Sequence, residues 1–263
     1  MPAKAVGDCS KSTLKFDLQG PPGTANRQRG QTEFARWMQK RRGMNAINEH
    51  SALDWFLSRR SVRNFTGQPI ARSTLENLLL AATSAPSPTN RQPWRFSVVT
   101  DAALRQQIVK AIAQRGEAMK AIIRRGHHAE DFGNYGDFFH EPLLTAAAII
   151  IPQYREYPDL IANLIASGGA DPGQFHTAAS MQAELCATSG AVMNLLLQAH
   201  ASGLGGCWMA GPMIARDQIC SLLQIAEPWR MLGAIALGYP APPLPDAKPR
   251  KPLGKVVEWF DGA

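Results

Sequence analysis

The sequence predicts a mixed α/β body of about one domain behind a basic extension, and three patterns predict it. From residue 51 onward apolar residues at helical spacing alternate with strand-like runs, most clearly Leu75, Leu78, Leu79 and Ala82 against Trp94, Phe96 and Val98. Pro86, Pro88 and Gly203 fall at the boundaries between such runs. Charge is also partitioned: residues 1–43 hold nine Lys/Arg against three acids, whereas residues 44–263 hold 19 against 18.

The chain has 263 residues, 45% of them hydrophobic and 19% charged, enough apolar material for a full core. Apolar runs such as Leu143–Pro152 are far shorter than the roughly 20 residues that span a bilayer. No basic start leads into an apolar stretch, so no secretory signal is expected and no membrane partner. Cysteines at 9, 186, 207 and 220 lack CxxC spacing, which reads as reduced thiols in a cytoplasmic protein. The basic segment 1–50 is expected to be partly irregular and solvated or wrapped on a partner; nucleic acid is the lesser expectation. Within it only Thr32–Arg42 has helical texture.

The elements of residues 51–263 then follow in order. Ser51 and Asp54 read as an N-cap with an acid in the first turn, opening a short helix through Leu57. Ser73-x-x-Glu76 reads as a capping box for the helix carrying Leu75, Leu78, Leu79 and Ala82. Trp94–Thr100 is a predicted strand, 102–125 a helix, and Ala146–Ile151 a strand buried on both faces. A long helix is expected over about 176–202, with Val192, Leu195, Leu196 and Ala199 on one stripe and Gly203 as its stop. Met231–Gly238 is another apolar strand, and six prolines in 240–252 predict an extended arm.

Four segments carry candidate chemistry. Arg59, Arg60, Ser61 and Arg63 place three guanidiniums and a hydroxyl within five residues. That set suits a dianionic phosphate, because each planar fork bonds two oxygens at once. Read alone it is also a cationic helix end complementing the macrodipole. Pro86, Ser87, Asn90 and Gln92 sit in a proline-fixed loop before a strand. Extended backbone there would send both amides the same way, toward the mixed donor–acceptor edge of a heteroaromatic ring. The alternative is a polar loop ending in a core tryptophan. Leu204, Gly205 and Gly206 follow Gly203, where absent Cβ atoms would let backbone N–H groups approach a ligand. They also read as a tight turn into a strand. Arg250, within Lys248-Pro249-Arg250-Lys251-Pro252, is a further cation on the stiff arm. No GxGxxG or GxxxxGK[ST] occurs.

Taken in order, Arg59–Phe65, Ala85–Phe96, Asn194–Met209 and Leu237–Trp259 resemble the FMN-dependent nitroreductase family, tying residues 51–263 to it. The resemblance implies an α+β three-layer fold, a central mostly antiparallel sheet flanked by helices, in an intertwined homodimer with FMN at the interface. It implies that Arg59, Arg60, Ser61, Arg63 and Arg250 hold the ribityl phosphate and that Leu204, Gly205 and Gly206 pass the isoalloxazine. Pro86, Ser87, Asn90 and, close behind, Gln92 would belong to a loop lent by the partner subunit. It further implies ping-pong hydride transfer from NAD(P)H to a small-molecule acceptor such as a nitroaromatic or quinone. A reductive dehalogenase, a flavin-cleaving relative and a non-catalytic flavin-binding module are the alternatives.

No side chain is required as acid or base, so no catalytic residue is expected, and no His or Cys spacing suits a metal. Cys207 reads as a small buried residue rather than a redox thiol. Tyr135, Phe138 and Phe139 read either as an aromatic lid or as a cluster under a loop, and residues 154–173 are open to the same two readings.

Overall fold

The computed structural model describes residues 49–126, 132 and 135–262. The helix expected at 32–42 and the histidines at 127 and 128 lie outside them. By internal contacts the chain divides into Met1–Asp54 and Trp55–Ala263, and the sheet with everything packed on it belongs to the second.

Five strands form one antiparallel sheet. β1 (Trp94–Val99) pairs β2 (Ala148–Tyr154), from Trp94 opposite Tyr154 to Val99 opposite Ile149. β5 (Ala234–Gly238) lies on the other side of β2, and β3 (Gly205–Met209) pairs the far side of β5. The two-residue β4 (Arg230–Met231) pairs the end of β2. The sequence reads residues 231–238 as one strand, but Gly233 interrupts it at φ +73°, where a Cβ would lie 2.4 Å from the Met209 carbonyl oxygen.

Alternation sorts the strand residues onto two cores. Ala148, Ile150, Ile235 and Leu237 face α2 (Arg72–Thr83) and α6 (Ala183–Ala201). Ile149, Ile151, Ala234 and Ala236 face α3 (Ala102–Ile123) and α7 (Arg216–Leu222). The result is helix, sheet, helix: the expected α+β three-layer fold, with β2 buried on both faces as its unbroken apolar run implies. The α6 stripe Val192, Leu195, Leu196 and Ala199 is buried throughout. Gly203 ends that helix as expected, at φ +71°, while the Leu204 N–H donates to the Ala199 carbonyl at 2.9 Å.

Three boundaries differ from expectation. Helix α1 (Glu49–Ser58) already begins at Glu49, so Ser51 lies inside it and is no N-cap. Helix α2 is entered from Ala71 in extended backbone with no side-chain cap, so Ser73 sits within the first turn. Glu76 accepts from Arg72 at 2.9 Å instead of closing a capping box. Helix α6 starts at Ala183, because Gln182 takes φ +51° and detaches the 3-10 turn Ala178–Met181.

Asp159 caps α5 (Leu160–Ser167), accepting from the Ala162 N–H at 3.1 Å and from the Thr177 hydroxyl. The Thr177 bond, then the Ala162 N–H, hold its carboxyl below the usual value of 3.8. A depressed carboxylate stabilises the fold above its unfolded pKa, and that contribution disappears as pH falls through the folded value. We expect melting temperature to fall less between pH 5 and pH 2.5 in Asp159→Asn than in the parent, read by thermal scans across that range.

Candidate functional site

The segment after α1 is stitched to the edge of the sheet. The Val62 N–H donates to the Gly206 carbonyl at 3.2 Å, Ser61 bridges Gly206 in parallel, and the Thr66 N–H donates to the Tyr239 carbonyl at 2.9 Å. Val62 and Phe65 are buried, whereas Arg63 is exposed, so one face anchors the segment and the other is free for a ligand. This packing accounts for the neighbouring glycines. A Cβ on Gly205 would lie 2.6 Å from the Val62 Cβ, and one on Gly206 would lie 2.8 Å from Leu196 Cδ2. The sequence reads these glycines either as a ligand approach or as a tight turn into a strand; close packing of Val62 and Leu196 also demands them. We expect Gly205→Ala to cost about 1–3 kcal/mol through overpacking. Because Val62 is what must move, the same variant should also lower amide protection of the 61–66 segment, measured by hydrogen exchange.

Arg59, Arg60, Ser61, Arg63, Lys248 and Arg250 line one cavity of about 580 Å³. The structure therefore gathers the whole sequence-predicted phosphate set, including Arg250 from the arm. The Arg59 and Arg63 guanidiniums donate to the backbone carbonyls of Arg60 and Ser61, at 3.0 and 3.3 Å. Arg60 donates to those of Leu57 and Arg59. Among the described residues none of these four arginines forms an ion pair, although Asp246 shares the cavity wall.

A second cavity of about 210 Å³ shares Arg59, Arg60 and Pro245 with the first and is floored by Leu204, Gly205 and Gly206. His200, which sequence reasoning missed, also lines it. Its Nε2 lies 2.8 Å from the Ser58 hydroxyl and its ring 5.3 Å from that of Trp55. The Ser58 and His200 positions are 142 residues apart, and no local pattern pairs them.

Pro86, Ser87, Asn90 and Gln92 line neither cavity. Their loop is not extended: Thr89, Asn90 and Gln92 take φ values of +49°, +56° and +48°. The two amides nevertheless meet, Gln92 Nε2 donating to Asn90 Oδ1 at 3.3 Å, and both residues are exposed. Ser87 Oγ accepts the Gln92 backbone N–H at 3.0 Å. Trp94 behind the loop is buried in the core.

Cys207 is buried in β3, and burial pushes its thiol above the ordinary value against the pull of Arg63 and Arg59, which suits a packing role. Tyr135, Phe138 and Phe139 form an edge-to-face cluster with centroids 4.8–5.6 Å apart, and Phe139 packs on the α3 side of the sheet. These rings line neither cavity. Among the described residues no group of His, Cys, Asp and Glu could hold a metal, and no helix is long and apolar enough to cross a membrane.

Residues 57–239 match the model of the nitroreductase family. The chain belongs to that family. The matched span contains the Arg59–Arg63 segment, the 86–92 loop and the glycine turn, and stops before Arg250. Among curated relatives, the nitroreductase-family chain is 33% identical to an iodotyrosine deiodinase of Haliscomenobacter hydrossis over 104 residues, 39% of this chain and 46% of the relative. It thus spans less than half of that protein's length. It is 28% identical to an NADH dehydrogenase of Thermus thermophilus over 223 residues, 77% of this chain and 93% of that one. In architecture it resembles a BluB-like flavoprotein from Clostridium difficile 630, with a TM-score of 0.70 at 21% identity over 80% of this chain and 99% of the other.

Proposed function

We propose that this nitroreductase-family chain is an FMN-dependent oxidoreductase that uses NAD(P)H to reduce small acceptors such as nitroaromatics or quinones. The observation that carries the proposal is the cluster of arginines around one cavity that, among the described residues, have no carboxylate partner. Like charges held this close repel, and an anion entering among them removes that repulsion and gains charge-assisted hydrogen bonds. A phosphate monoester fits the donor set: Arg59, Arg60, Arg63 and Arg250 supply guanidinium forks and Ser61 a hydroxyl. The adjoining cavity offers an apolar wall in Leu196 and Leu204 beside the buried backbone of Gly205 and Gly206, which suits a ring system carried by that phosphate.

When bound, FMN supplies the hydride-accepting and hydride-donating chemistry. The chain's own residues bind and orient it. The arginines fix the phosphate end, and the 204–206 backbone supports the path away from it. The loop bearing Pro86, Ser87, Asn90 and Gln92 serves the site of a second subunit in a cytoplasmic homodimer, which explains why it lines neither cavity of its own chain. NAD(P)H and the acceptor occupy one slot in turn, and no side chain is assigned as acid or base.

The match to an iodotyrosine deiodinase favours a second reading, reductive dehalogenation at the same site. Reoxidation of the reduced protein separates the two. Faster reoxidation by a nitroarene or quinone than by 3-iodotyrosine is the expected result, and the reverse order establishes the dehalogenase.

A further inference from the structure

The 86–92 loop holds an unusual conformation. Left-handed φ costs non-glycine residues energy, and most of all a β-branched one such as Thr89. Three such residues within four positions need an external restraint, and the structure shows one. The Arg91 guanidinium donates to Glu184 Oε1 at 3.1 Å, and the Glu184 side chain is only 8% exposed. Glu184 stands in the first turn of α6, two residues after Gln182, itself at φ +51°. Arg91 also donates to Thr89 Oγ1 at 3.2 Å, and its carbonyl accepts from the Tyr157 hydroxyl at 3.2 Å. The Arg155 guanidinium lies 4.4 Å from the Tyr157 ring centroid, and the Arg155 backbone N–H donates to the Pro93 carbonyl at 3.0 Å. Arg91 therefore ties its loop to α6 and to the segment after β2.

We propose that the Arg91–Glu184 ion pair is a latch that holds the 86–92 loop in its left-handed conformation, with Glu184 as the positioning residue that fixes how Asn90 and Gln92 are presented. The proposal rests on the reading that this loop contacts flavin, because otherwise nothing is gained by holding the two amides together. With the latch broken, Thr89, Asn90 and Gln92 relax toward negative φ, and the amides separate. The segment following β2 is coupled to the same loop through Tyr157 and Arg155.

The latch is tested by restoring the conformation without the ion pair. Glycine adopts left-handed φ freely, so Thr89→Gly should hold the loop shape when Glu184→Gln has removed the charge. Hydrogen exchange of the 86–93 peptides, read on the protein without added flavin, reports the loop directly. Amide protection of Asn90, Arg91 and Gln92 should fall in Glu184→Gln and return toward the parent level in Glu184→Gln/Thr89→Gly. FMN-loaded protein should lose on the order of ten- to a hundredfold in flavin reduction rate in the single variant, a loss typical of misplaced contacts, and recover most of it in the double. Arg91→Gln, at the more exposed end of the pair, should reproduce the Glu184→Gln result and replaces it should that variant fold poorly. Unchanged protection in the single variants overturns the latch, as does lost protection that glycine fails to restore. Protection that falls and recovers without any change in FMN binding or reduction keeps the latch as a loop restraint but overturns its placement at the flavin.

Discussion

Replacing Arg63 with alanine should weaken FMN binding about 10- to 150-fold, the equivalent of one charge-assisted hydrogen bond at about 1.5–3 kcal/mol. Among the described residues Arg63 donates only to the Ser61 carbonyl at 3.3 Å, an exposed contact whose loss should leave thermal stability within about 0.5 kcal/mol of the parent. Arg250→Ala should behave in the same way, although the arm that carries it stands far along the chain. Affinity and stability are thus expected to separate. Fluorescence quenching on FMN titration, beside a thermal melt of the same sample, reads both quantities. Retention of FMN at parental affinity in both variants places the phosphate elsewhere.

Phe65→Ala should instead lower affinity and stability together. Phe65 is 4% exposed and joins the core on the α3 side, and a Cβ on Gly238 would lie 2.9 Å from its ring. Truncating a buried phenylalanine costs about 3–5 kcal/mol, a large part of the 5–15 kcal/mol typical of a domain. Its backbone N–H also donates to Thr145 Oγ1 at 3.2 Å, so the ring and the main chain together dock the arginine segment on the sheet. Leu78→Ala is the control. It is equally buried, in α2, and should cost about 2–5 kcal/mol without moving the arginines. Denaturant melts should show both variants destabilised, with FMN affinity falling only in Phe65→Ala.

Much of the fold is legible in the sequence, because burial leaves a periodic trace. The run Ala148–Ile151 is apolar on both faces since both helix layers press on β2, and the α6 stripe is apolar because one face meets the sheet. What escapes is set by backbone conformation that side-chain type barely signals. Gln182 and Thr89 occupy left-handed φ without being glycine or asparagine, so neither the break before α6 nor the shape of the 86–92 loop can be foreseen. Ser73 and Glu76 have capping-box spacing, but the extended backbone at Ala71 starts α2 earlier.

The candidate site divides in the same way. Arg59, Arg60, Ser61 and Arg63 are adjacent in the chain, so their meeting is foreseeable, and the proline arm brings Arg250 to them. The Arg91–Glu184 contact spans 93 positions and joins a loop to a helix start, a pairing that no local motif encodes. The glycines at 205 and 206 are legible as special, but their partners Val62 and Leu196 come from distant parts of the chain.

If the arginine cavity holds FMN, the bound cofactor should exchange electrons with NAD(P)H. An absorbance spectrum of the protein, reconstituted with FMN and titrated anaerobically with NADH and then NADPH, tests it most directly. The expected result is a retained yellow chromophore that bleaches with at least one donor and recovers on addition of a nitroarene or quinone. A protein that retains no FMN, or whose bound flavin stays oxidised with both donors, contradicts it.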